Sequence, residues 1–233
     1  MKTIALIGAD GSGKTTIANR IMNEPPVPLK YLYMGLNIES SNYALPTSRL
    51  AYKFKLWEYK RKHKHLKNVQ LKNLSLHQID DNRRGDPRGK IGAAARLIKR
   101  VSEELYRLFI SWTFQIRGYN VLFDRHFIFD AATSATGEEL KKQRFTNKIH
   151  RWFLNKVYSK PDLVIFLHAP AEVLYERKHE VDVEYLQTRT ETFLKVGKNL
   201  KNFVVVDSTQ PIDSVFEQVK ETIIEFVNNG KSI

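Results

Sequence analysis

Thr3-Ile4-Ala5-Leu6-Ile7 is an unbroken apolar run that stops at Gly8, the pattern of a central parallel strand covered on both faces. The period then changes. Ile17 and Ile21 recur at four-residue spacing in a segment that opens over residues 13–16 and closes at Pro25 and Pro26, which predicts a helix. Residues 29–34 read as a second strand ending at Gly35. Periodicity is poor over 36–92, where Pro46, Asn82, Gly85, Pro87 and Gly89 interrupt the chain, so this stretch is expected to be an insertion with one or two short helices.

Order returns over 93–116, where Leu97, Val101, Leu105, Leu108 and Trp112 step by four or three and form one apolar helix face. Gly118 ends it. Residues 119–123 read as a third strand leading into Asp124-Arg125-His126, and a polar stretch around Gly137 precedes a helix ending near Tyr158. A fourth strand is expected over 162–167, a helix from Ala171 after Pro170, a helix over 183–200, a last strand over 203–206, and a closing helix marked by Val215, Val219, Ile223 and Phe226. This alternation predicts an α/β fold with a five-stranded parallel sheet covered on both faces, whose ligands bind beyond the C-terminal strand ends.

Composition narrows the class. With 233 residues, 42% hydrophobic and 27% charged, the chain suits one globular domain over 1–233 carrying an insertion, and disorder as its dominant state is excluded. No apolar run approaches the ~18 residues of a membrane span, and no signal-peptide succession opens the chain. The absence of cysteine excludes disulfides and thiolate metal sites and agrees with a cytoplasmic location. Residues 49–100 hold sixteen basic and four acidic side chains, nearly all of the net charge of +13. There, Phe54 and Trp57 interleave with Lys53, Lys55 and Arg61, which suits a phosphate-rich partner. The plainer expectation is a solvated basic helix that covers the core with its aromatic side.

The chemistry starts at Gly8-Ala9-Asp10-Gly11-Ser12-Gly13-Lys14-Thr15, which satisfies G-x-x-x-x-G-K-[ST] between a strand and a helix. Glycines let backbone N–H groups turn in on phosphates, and the helix N-terminus adds partial positive charge. Lys14 can reach the β and γ oxygens of a nucleoside triphosphate, and the Thr15 hydroxyl can ligate magnesium. Thr16 follows the eight-residue motif. The motif alone points to a nucleoside triphosphate with Mg2+ and does not name a reaction.

At this point the sequence resembles the thymidylate kinase family, within the nucleoside monophosphate kinases. The P-loop with a carboxylate at its third position, the strand followed by Asp124-Arg125-His126, the segment Pro161 to Leu167 followed by Pro170-Ala171-Glu172-Val173 and Glu176-Arg177-Lys178, and Val206-Asp207-Ser208-Thr209-Gln210-Pro211 match that family's motifs in order and spacing. The resemblance implies a three-layer P-loop NTPase fold and an ATP-dependent kinase. It implies that Asp124 holds magnesium or its water shell, that Arg125 clamps the acceptor's phosphate or the transferred group, and that Asp10 touches the acceptor's sugar. It places the Asp207 loop near the adenine and a lid at about 176–184. Some family members carry an arginine inside the P-loop where this chain has Gly11; the resemblance passes that duty to Arg177 in the lid, with Lys178 as second candidate.

The departures fall on the acceptor side. The Arg-Glu-Pro-like clamp after the second strand is replaced by Tyr33-Met34-Gly35-Leu36-Asn37, and His168 stands where an aspartate is usual, as a neutral structural substitute. Arg96, Arg100, Arg107, Phe109 and Gln115 lie where the family surrounds thymine. The expected function is a thymidylate kinase-like transfer of the ATP γ-phosphate to a nucleoside monophosphate such as dTMP, in a homodimer formed through helices. A kinase of a non-nucleotide small molecule and a nucleic-acid-binding NTPase using residues 49–100 are the alternatives.

Overall fold

The structure, a computed structural model, describes residues 1–35, 41–62, 89–129 and 145–229. Five strands form one wholly parallel sheet: β1 (Thr3–Ile7), β2 (Leu29–Tyr33), β3 (Asn120–Asp124), β4 (Leu163–His168) and β5 (Phe203–Asp207), in the order β2-β3-β1-β4-β5. Among the described residues, seven helices accompany them: α1 (Lys14–Asn23), α2 (Pro46–Lys62), α3 (Gly89–Ile116), α4 (Phe145–Val157), α5 (Ala171–Arg177), α6 (Val183–Gly197) and α7 (Ile212–Asn229). The α/β class and the parallel sheet are as the sequence predicts, with each strand within two residues of expectation.

Side-chain alternation along the strands splits the core into two layers. On one face Ile4, Leu6, Leu122, Leu163 and Ile165 pack on Ile17 and Ile21 of α1 and on Val215, Val219, Ile223 and Phe226 of α7. On the other, Ala5, Ile7, Phe123, Val164 and Phe166 meet Phe114 of α3, Leu154 of α4 and Phe193 of α6. The central strands are therefore buried on both sides, which is why they read as continuous apolar runs. In register Leu6 lies beside Asp124 and Ile7 beside Phe166, so the end of β1 opens between the ends of β3 and β4.

Two expectations for the helices are corrected. α2 runs for 17 residues, not as a short helix, and its aromatic side does not cover the core: Phe54 is 62% exposed and Trp57 53%. Those two rings pack on each other, with Arg61 over Trp57. The remainder of the expected insertion, 36–40 and 63–88, lies outside the described residues. In α3 the row that packs inward is Glu103, Glu104, Arg107, Ser111 and Phe114, while Leu105 and Trp112 of the expected apolar face are exposed. Leu108 of that face still packs on the core, and a largely charged row turns inward beside it. That row is held by polar partners distant in sequence: Arg107 donates to the Gly35 and Tyr43 carbonyls, and Glu104 pairs with His150.

Candidate active site

The loop between β1 and α1 is shaped by glycines with left-handed backbone. Gly11 has φ +87° and Gly13 has φ +85°, a region that side chains rarely adopt. A Cβ on Gly11 would also meet the Leu174 carbonyl at 2.7 Å, so no arginine fits at this position. Gly13 caps α1 without a side-chain hydrogen bond, leaving the first-turn N–H groups to face a ligand. Lys14 is buried beneath this loop, its Nζ donating to the Ala9 carbonyl at 2.6 Å and lying 3.4 Å from Ser12 Oγ. Burial, then the nearby charge of Arg125, bring its pKa down to about 8 against the opposing pull of Asp10 and Asp124.

Asp124, at the end of β3, reaches the same loop from the neighbouring strand. Its Oδ2 accepts from Tyr31 OH at 2.9 Å and from Thr15 Oγ1 at 3.3 Å. Burial and the Asp124 charge push the Tyr31 phenol well above its ordinary pKa, so it stays a donor. Asp124 Oδ1 is buried and has no hydrogen-bond partner among the described residues. A desolvated carboxylate oxygen beside a threonine hydroxyl at a P-loop is a donor set that fits Mg2+. Among the described residues there is no group of three or more His, Asp or Glu placed to hold a metal ion.

Arg125 follows at φ 69°, strained backbone of a kind found at functional sites. Its Nη2 donates to Asp10 Oδ1 at 3.2 Å, while Arg189 from α6 donates from Nη1 to Asp10 Oδ2 at 3.4 Å. Burial pushes the Asp10 pKa up, but Lys14, Arg189, Arg125 and Lys178 together outweigh it and hold the carboxyl below its usual value. Gly8, Lys14, Arg125, His126, Arg189 and Phe193 line one small cleft. His126 is wholly buried, and burial lowers its pKa to about 4, so it is neutral there.

Arg177, expected in the lid, is the last residue of α5; it is exposed and donates to the Ser208 carbonyl at 3.0 Å in the β5–α7 loop. Lys178 pairs with Glu180 at 2.9 Å in the short connection to α6. Asp207 is exposed and shapes its own loop, accepting from Thr209 N at 2.9 Å, Thr209 Oγ1 at 2.7 Å and Gln210 Nε2 at 3.1 Å. The Thr209 hydrogen bonds, with that of Gln210, lower its pKa. Thr16 is exposed on the first turn of α1, and Ser12 is buried in the loop. His168 accepts at its main-chain carbonyl from Ser208 N at 2.7 Å and Oγ at 2.9 Å, and its ring packs on Phe166. Phe109 points outward and Gln115 bonds back to Ser111, whereas Arg96, Arg100 and Arg107 line a cavity. Arg189 was missed from sequence. Its place four residues before the buried Phe193 and three after Leu186 is the signal that it faces inward.

No protein-family model matches the chain. It is 30% identical to a thymidylate kinase of Thermosipho melanesiensis over 115 residues, 46% of this chain and 56% of that protein. It is likewise 30% identical to a probable thymidylate kinase of Archaeoglobus fulgidus over 123 residues, 49% of this chain and 58% of that protein. Over those stretches the chain is similar to thymidylate kinases. It spans about half the length of the curated relatives it matches. Its fold extends further than its sequence likeness. A deoxyadenosine kinase from M. mycoides with bound dATP superposes with a TM-score of 0.56 at 17% identity, covering 96% of this chain and 100% of that one. The same enzyme with dCMP and a flexible dCDP gives 0.52 at 19% identity, covering 96% and 99%. The chain thus shares the fold of that deoxyadenosine kinase, a five-stranded parallel sheet with helices. None of its described helices is long and apolar enough to cross a membrane.

Proposed function

We propose that this chain is an ATP-dependent kinase that transfers the γ-phosphate to a nucleoside monophosphate, of which dTMP is the member its relatives' names suggest. The observation that carries this reading is the junction of Thr15 with Asp124, where a buried oxygen of Asp124 has no partner among the described residues behind the phosphate loop. Glycine-freed amides of residues 8–15 bind the β and γ phosphates, and Lys14 neutralises the bridging charge. Magnesium, held by Thr15 and Asp124, supplies further neutralisation of the triphosphate when bound.

Arg125 and Arg189 bind the phosphoryl oxygens that gain charge as the terminal group moves. Asp10 keeps both guanidinium groups in place beforehand, so little reorganisation is needed at the reactive moment. Arg177 closes the base-side loop through Ser208, and the connection after it, within the proposed lid at 176–184, brings Lys178 toward Asp10. The loop of Asp207 borders the adenine. The exposed apolar row of α3 supports the homodimer: an amphipathic helix whose apolar side is unused within one chain is buried by a second copy. A cytoplasmic location agrees with the absence of cysteine.

A coupled ADP-release assay across the four deoxynucleoside monophosphates, the deoxynucleosides and simple sugars tests the reading. Turnover with a deoxynucleoside monophosphate supports it, and turnover with unphosphorylated deoxynucleosides alone moves the acceptor to the nucleoside. Turnover with sugars alone favours a small-molecule kinase, and turnover stimulated only by nucleic acid, with steep loss in salt, favours a nucleic-acid-dependent NTPase.

A further inference from the structure

Tyr31 reads from the sequence only as a strand residue, yet its hydroxyl lies closer to the Asp124 carboxylate than that of Thr15 does. β2 is the edge strand beside β3, with Tyr31 in register with Leu122 and Tyr33 with Asp124. Tyr31 and Leu122 therefore share a face of the sheet, and the Tyr31 ring packs on the core layer beneath α1 and α7. Asp124 lies two residues beyond Leu122, about 6.6 Å at the usual strand rise. The length of the tyrosine side chain carries its hydroxyl that far, and the bond it donates to Asp124 Oδ2 is 2.9 Å. β2 holds the main chain of Asp124 as well, since Met34 N, just past the strand, donates to the Asp124 carbonyl at 3.0 Å.

Thr15 Oγ1 reaches the same Oδ2 at 3.3 Å, beyond the roughly 3.0 Å limit of ordinary O–H···O bonds. The Tyr31 bond is thus the one that fixes how the carboxylate is turned. It does so without a charge of its own. A lysine or arginine in that place would offset the negative charge that attracts a metal ion, whereas a phenol leaves it whole. Outer hydrogen-bond partners of a ligating carboxylate set its orientation and, through it, the affinity for the metal.

We propose that Tyr31 is a positioning residue for phosphoryl transfer, whose hydroxyl holds the Asp124 carboxylate beside Thr15 in the orientation that binds a divalent cation. The inference rests on the kinase reading above and adds to it a residue that acts through another. A phenol kept only for stability would change the melting temperature and leave metal affinity alone, and the two roles separate in one experiment.

Mn2+ binding to the full chain, saturated with a non-hydrolysable ATP analogue and followed by electron paramagnetic resonance of the free ion, is measured for the wild type, Tyr31→Phe, Asp124→Asn and the double variant. Tyr31→Phe keeps the packed ring and removes only the hydroxyl. It is expected to weaken Mn2+ about tenfold or more, with the affinity for the metal-free analogue unchanged. Combined with Asp124→Asn, which is itself expected to weaken Mn2+, it is expected to add little, because the two act as one unit. Unchanged Mn2+ affinity in Tyr31→Phe, an equal further loss in the double variant, or an Asp124→Asn protein that binds Mn2+ as the wild type does overturns the proposal while the kinase reading stands. A wild type that binds neither the analogue nor Mn2+ overturns both. Should Tyr31→Phe not fold, fluorotyrosine placed at position 31 keeps the hydroxyl: a fluorine resonance that shifts on adding Mg2+ to the analogue-saturated protein supports the proposal, and one that stays fixed overturns it.

Discussion

Asp10 accepts from Arg125 on one carboxylate oxygen at 3.2 Å and from Arg189 on the other at 3.4 Å, joining the P-loop to the end of β3 and to α6. Two guanidinium groups far apart in sequence are thereby aimed at one point before any phosphate arrives. Removing either one is expected to lower turnover by about 10²–10³-fold, as for other groups that stabilise developing charge. Arg177→Ala is expected to raise the KM for ATP with a smaller change in kcat, because Arg177 contacts the Ser208 loop. Steady-state kinetics of Arg189→Ala and Arg177→Ala check this; full turnover in Arg189→Ala removes that residue from the chemistry.

Asp124→Asn keeps an oxygen for Thr15 and Tyr31 but loses the negative charge. The expected outcome is a melting temperature close to wild type, kcat lowered by about 10²-fold or more, and a higher Mg2+ requirement. Mg2+ titration of the activity reads it directly, and an unaltered Mg2+ dependence assigns the metal elsewhere.

Lys14, with its pKa brought down to about 8, is largely neutral above that pH in the free protein. A bound triphosphate favours the charged form and raises this pKa, so at pH 9 binding takes up on the order of one proton, and affinity weakens as pH climbs from 8. Titration in two buffers of different ionisation enthalpy measures the uptake. No uptake at pH 9 means that Lys14 does not face the phosphates.

The strands and the P-loop were legible in the sequence because both are local statements. A strand buried on both faces must be continuously apolar, and Gly11 and Gly13 are required by backbone that other residues avoid. α3 was misread because hydrophobic periodicity assumes that the apolar row meets the chain's own core. Here Glu104 with His150, and Arg107 with Gly35, make a charged row the buried one through partners up to 72 residues away. Arg189 escaped for a related reason: its partner Asp10 is 179 residues away, and no local motif records a meeting that distant.

The exposed side of α3 yields its own prediction. Phe109, Trp112 and Ile116 are 59%, 59% and 86% exposed on α3, with Trp152 of α4 at 61%. Sedimentation at micromolar concentration is expected to find a dimer, and Trp112→Glu is expected to shift it to monomer while the P-loop still binds ATP. A monomeric wild type contradicts the second-copy assignment.

The most direct measurement is the affinity of Mg2+ with a non-hydrolysable ATP analogue for the wild type and for Lys14→Ala, by calorimetry at pH 7. The account predicts saturable one-site binding by the wild type and a loss of at least about 10²-fold in a variant whose melting temperature is preserved. Equal affinity in the two proteins, or no binding to the wild type, contradicts it.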